Sequence, residues 1–73
     1  MVKVYSQPGC TMCVATKKHM DRRGIKYTEI DVSEDSDSLN HIVSLGYKQV
    51  PVVEVNDTHW SGYNHEKIEA LAS

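Results

Sequence analysis

The sequence contains no run of about 20 apolar residues, the length a helix needs to cross a membrane. Its opening, MVKVYSQPG, has one lysine and no apolar stretch of about 7–15 residues of the kind a secretory leader carries. A cytoplasmic protein without a membrane span is expected, so the Asn-Asp-Thr sequon at residues 56–58 would not meet the glycosylation machinery. Cysteine is scarce, with two in 73 residues. One bridge between near neighbours would close too short a loop to restrict the unfolded chain, which argues against a disulfide-stapled scaffold. Basic charge is not in excess either: 8 Lys and Arg stand against 10 Asp and Glu, a net charge of −2. With no basic stripe to follow a phosphate backbone, no nucleic-acid partner is expected. Repeats, low-complexity tracts and linkers are also missing. A single domain over residues 1–73 is the expectation, with a core worth about 3–5 kcal/mol of net stability.

What is present is an alternation of short strands and helices. Residues 2–6, VKVYS, are β-branched and aromatic and end at Pro8-Gly9, so they read as a strand. Residues 11–23 suit a helix, with Cys13, Thr16 and Met20 on one face and Lys17, Lys18, Asp21 and Arg22 toward water. Gly24 stands where a left-handed helix end belongs, after Arg22 and Arg23. Residues 26–32 form a second expected strand and residues 33–45 a second helix. That helix has an acidic first turn, an apolar stripe of Leu39, Ile42 and Val43, and Ser33, Asp35 or Ser36 as cap. Residues 49–55 make the most apolar strand, expected to be central. Asn56-Asp57 turns into a short strand at 58–60, and residues 64–72 form a last helix capped by Asn64, with Ile68, Leu71 and Ala72 inward. The order β-α-β-α-β-β-α predicts an α/β fold. It has two parallel strands joined by a right-handed crossover, an antiparallel hairpin, and helices on both faces of a four-stranded mixed sheet.

Cys10 and Cys13 stand at the end of the first strand, entering the first helix, where α/β proteins usually place their chemistry. A zinc site would need two more ligands. His59 and His65 lie too far along the chain from Cys13 for a finger, so no metal is expected, and all four histidines read as solvated surface. A Cys-X-X-Cys beside a β-α-β pattern is instead a dithiol redox signature. Cys10 is the expected nucleophile, because the unpaired N–H groups of the helix N-terminus favour a thiolate. Cys13, one turn into the helix, is the expected buried resolving thiol. Met12 has no core face and reads as an adaptable partner contact.

The element order resembles the thioredoxin fold in its glutaredoxin-sized form. Gln49-Val50-Pro51 resembles the turn of that fold whose proline peptide is cis and faces the dithiol. His59-Trp60-Ser61-Gly62-Tyr63 is similar to the Trp-Ser-Gly-Phe segment of the NrdH-type redoxins, and residues 45–53, LGYKQVPVV, resemble the same family. The resemblance implies a dithiol electron donor to a class Ib ribonucleotide reductase, re-reduced by thioredoxin reductase. It further implies Cys10 as nucleophile, Cys13 as resolving thiol, and a docking surface at Trp60, Ser61, Gly62 and Tyr63. A cis-Pro51 would present the Val50 backbone to an extended substrate segment. A monomer with no cofactor is expected.

Three positions depart from the family pattern. Gln7 stands where a lysine or arginine is common, three residues before the first cysteine. Tyr63-Asn64-His65 replaces Phe-Arg-Pro, and Thr11-Met12 is neither Pro-Tyr nor Gly-Pro. The alternatives are a glutathione-dependent glutaredoxin and a metal-binding module. Gln7 provides no charge for the glutathione carboxylates, and residues 60–65 hold no Asp pair for its amino group.

Overall fold

Alternating side chains from Val2 onward fit a pleated strand, and β1 (Val2–Ser6) forms there. In the computed structural model, which describes residues 1–72, the other elements are α1 (Thr11–Arg22), β2 (Thr28–Asp31), α2 (Ser36–Ser44), β3 (Val52–Val55), β4 (Thr58–Ser61) and α3 (His65–Ala72). The expected order is the observed one, with β2, α2 and β3 shorter than expected. β3 starts at Val52 rather than residue 49, since Pro51 lacks an N–H for the ladder. β4 extends one residue further, to Ser61.

The sheet order is β2-β1-β3-β4. β1 runs parallel to β2 and antiparallel to β3, and β3 pairs antiparallel with β4. The two apolar strands β1 and β3 are therefore the inner ones. Alternation sends Val4, Val53 and Trp60 to one face, where Met20 of α1 and Ile68 of α3 cover them. Tyr5 and Val52 point to the other face, packed with Val32 and with Ile42 of α2. Each such fully buried aliphatic contributes roughly 1.5–3 kcal/mol. An exposed ion pair is worth about 0–1 kcal/mol, so this two-sided core decides the architecture.

The helix ends are local decisions. α1 closes with the Gly24 N–H donating to the Asp21 carbonyl and the Ile25 N–H to that of Met20, with Gly24 at φ +70°. This double bond pattern needs a left-handed residue after the cap, and glycine adopts it without steric cost. Asp35 is the cap of α2: its carboxylate accepts from the Asp37 and Ser38 N–H groups at 3.1 and 3.2 Å. Bonds from the Ser38 N–H and hydroxyl hold that carboxyl below its ordinary range. Ser33 is occupied with Asp31 instead, donating its N–H at 2.9 Å, so the helix starts later than residue 33. Asn64 caps α3 by accepting from the Lys67 N–H at 3.0 Å.

The apolar stripe of α2 is only partly used. Ile42 is buried, whereas Leu39 and Val43 are 42% and 54% exposed, because a single helix covers that face and its contact line is narrower than the stripe.

Candidate active site

The loop after β1 brings Cys10 to the N-cap of α1 with extended backbone. Cys10 and Cys13 are joined as a disulfide with their Cα atoms 5.2 Å apart. The Cys13 N–H donates to the Cys10 sulfur at 3.1 Å. An unpaired donor of the first helical turn thus points at the outer sulfur, and the positive end of α1 adds to it. In the reduced protein the same donor and dipole favour a thiolate at Cys10. The two cysteines differ in access: Cys10 is half-buried, while Cys13 is 1% exposed on the face of α1 that also carries Thr16, His19 and Met20.

The turn before β3 faces this pair. The Val50–Pro51 peptide is cis, Pro51 is fully buried, and the Val50 carbonyl oxygen lies 3.8 Å from the Cys10 sulfur. The Gly62 N–H donates to the Pro51 carbonyl at 2.8 Å, and Ser61 pairs with Val52. The end of β4 is thereby tied to the proline turn. Tertiary packing brings Cys10, Val50, Pro51, Ser61 and Gly62 to one rim of the sheet.

The Met12 side chain reaches over Gly62: a Cβ placed there would lie 3.3 Å from the Met12 methyl. Met12 is 49% exposed and Tyr63 38%, so they form one continuous surface with Gly62. Trp60 belongs to the core. Its indole is 7% exposed, Lys67 lies 5.6 Å above the ring, and its Nε1 is buried with no hydrogen-bond partner among the described residues. It points into the sheet face covered by α1 and α3, because it pairs with Val53 and shares that residue's orientation. The Trp60 side chain, expected on the docking surface, is placed in the core of that sheet face.

His19 also departs from the expectation of a solvated histidine. It is 5% exposed, one turn beyond Thr16 on the buried face of α1. Its Nδ1 meets the Tyr63 hydroxyl at 2.8 Å and its Nε2 the Glu69 carboxylate at 2.5 Å. Glu69 is held below its ordinary carboxylate range, first by the His19 hydrogen bond and further by Arg23. The network anchors Tyr63, and so the rim, to α1 and α3. Sequence reasoning missed it because its partners lie 44 and 50 residues apart. The i, i+3 step from Thr16 to His19 was the available signal.

A Cys-X-X-Cys at a helix N-terminus, facing a cis-proline turn on a four-stranded mixed sheet, defines a dithiol redox protein of the thioredoxin fold. The glutaredoxin family model matches residues 2–60. The glutaredoxin-like protein NrdH of Salmonella typhimurium is 31% identical over 70 residues, covering 96% of this chain and 86% of its own. The protein of the same name from Lactococcus lactis subsp. cremoris is 29% identical over 72 residues, covering 99% and 100%. The solved structure of NrdH-redoxin from Escherichia coli, described as a glutaredoxin-like protein with a thioredoxin-like activity profile, superposes with a TM-score of 0.92. Its identity is 31%, over 96% of this chain and 92% of that one. The chain belongs to the glutaredoxin family, in its NrdH-type branch, and has a thiol–disulfide redox role.

Proposed function

We propose that the protein is a dithiol electron donor to a protein disulfide, that its target is a class Ib ribonucleotide reductase, and that thioredoxin reductase re-reduces it. The observation carrying this reading is the unequal access of the two sulfurs, with Cys10 at the rim and Cys13 1% exposed. In the reduced protein the Cys10 thiolate attacks one sulfur of the target disulfide, forms a mixed disulfide and releases the other sulfur as a thiolate. Cys13, as its thiolate, then attacks Cys10. The second target thiolate leaves, and two electrons have passed to the target while the Cys10–Cys13 bond forms. The Val50 backbone is the pairing edge for an extended target segment, as in an added strand. Met12, Ser61, Gly62 and Tyr63 form the contact surface around it.

Gln7, exposed and three residues before Cys10 in the chain, has no charge for a glutathione carboxylate, which favours a protein reductant over glutathione. The NrdH-type likeness supports the choice of target. The test is to give the oxidised protein NADPH with either thioredoxin reductase or glutathione plus glutathione reductase, and to follow NADPH oxidation. Reduction by the first couple and not the second is expected. Reduction by glutathione alone would replace this reading with a glutathione-dependent glutaredoxin.

A further inference from the structure

Where α1 meets α3, two imidazoles and a carboxylate converge. His65 and Glu69 are one turn apart on α3, and His19 faces them from α1. The ring centroids of His19 and His65 are 5.0 Å apart. One ligand atom from each of His19, His65 and Glu69 lies within 4.8 Å of the others. We propose that these three residues form a binding site for a divalent transition-metal ion of the zinc type, separate from the dithiol and going beyond the redox reading.

The chemistry of the set is specific. Two imidazole nitrogens and one carboxylate oxygen suit zinc and its neighbours, whereas magnesium and calcium prefer all-oxygen shells. Tetrahedral zinc with bonds of about 2.0–2.2 Å puts its ligand atoms roughly 3.4 Å apart. To reach that spacing the 2.5 Å gap between His19 Nε2 and Glu69 opens by about an ångström while His65, exposed on the open side, closes by about the same amount through side-chain rotation. His19 is the buried floor. Its Nε2 already faces Glu69, so the ion takes the place of the proton between them; in a neutral imidazole that proton is relocated to Nδ1 by way of solvent, and only an imidazolium releases one to the bulk. The Nδ1–H then donates to the Tyr63 oxygen, the outer hydrogen bond that orients a metal-bound histidine. The fourth position faces water. Arg23, whose Nε lies 3.3 Å from Glu69, opposes the ion electrostatically, but its side chain is half exposed and free to swing outward. This departs from the expectation of no metal, which took all four histidines, His19 and His65 among them, as solvated surface.

The experiment uses the oxidised protein, because the Cys10–Cys13 disulfide removes the thiols as ligands. Zinc is titrated calorimetrically, and the histidine ring signals are followed by NMR. One zinc per chain is expected, with the signals of His19 and His65 moving and those of His41 and His59 staying. His65→Ala, Glu69→Gln and Tyr63→Phe should each weaken binding by about tenfold or more, and excess magnesium should not displace the ion. Absence of binding, shifts confined to His41 or His59, unchanged affinity in His65→Ala, or displacement by magnesium would each overturn the site.

Discussion

Gly62→Ala probes both the rim and the docking surface. Gly62 has φ +78°, a left-handed conformation that costs an alanine roughly 1–2 kcal/mol. The new methyl would also meet the Met12 methyl at 3.3 Å. That is slightly inside ordinary contact of about 3.5–4.0 Å, but Met12 is 49% exposed and can move away. Backbone strain should therefore dominate. At about 4–8 °C per kcal/mol for a domain this small, the melting temperature should fall by roughly 4–16 °C. The double variant Met12→Ala/Gly62→Ala separates the two contributions: it should regain little stability, since only the methyl contact is relieved. Exchange with a protein disulfide should fall severalfold in Gly62→Ala, because the added bulk displaces Met12 within the contact surface. Reduction of cystine should barely change, as neither sulfur is touched. Thermal melts by circular dichroism and parallel assays on the two substrates measure all of this. An unchanged melting temperature would refute the strained backbone at Gly62. Equal loss on both substrates would mean damage at the dithiol, and no loss on either would put residues 61–63 outside the interface.

Other outcomes follow from the site and its surroundings. Cys13→Ser should accumulate a stable mixed disulfide between Cys10 and its target, while Cys10→Ser should trap none, read on non-reducing gels; equal trapping by both would reverse the assigned roles. Gln7→Lys should lower the Cys10 pKa, since a nearby cation favours the thiolate, and thiolate absorbance against pH should show an earlier midpoint. An unshifted midpoint would mean that position 7 does not face the sulfur. Tyr5 is pushed up to about 12, first by burial and then by its hydrogen bond to Glu54. The stability that its protonated form contributes is present below the ordinary tyrosine value of about 10 and lost as pH rises through about 12. In a tyrosinate titration Tyr5→Phe should remove the latest-ionising component and Glu54→Gln should move it earlier. A Tyr5 component ionising near 10 would contradict that bond.

The sequence by itself determined whatever depends on neighbours along the chain. Gly24 after Arg23 ends α1, Asn64 begins α3, and Asn56-Asp57 closes the hairpin, because each acts on backbone groups within a few residues. The alternation in residues 2–6 and 52–55 fixes which side chains face each side of the sheet once any pairing exists. The placement of Cys10 at the first turn of α1 was legible for the same reason: the helix dipole and unpaired N–H groups belong to the local element. The choice of Asp35 over Ser33 needed the structure, since Ser33 bonds to Asp31. So did the burial of Trp60, the contact of Met12 with Gly62 and the network of His19 with Tyr63 and Glu69. These depend on how α1, β4 and α3 pack, and hydrophobic pattern specifies a face without naming its partners. The exposed Leu39 and Val43 make the same point in reverse, since an apolar stripe says which side of α2 turns inward but not how much of it the sheet can cover.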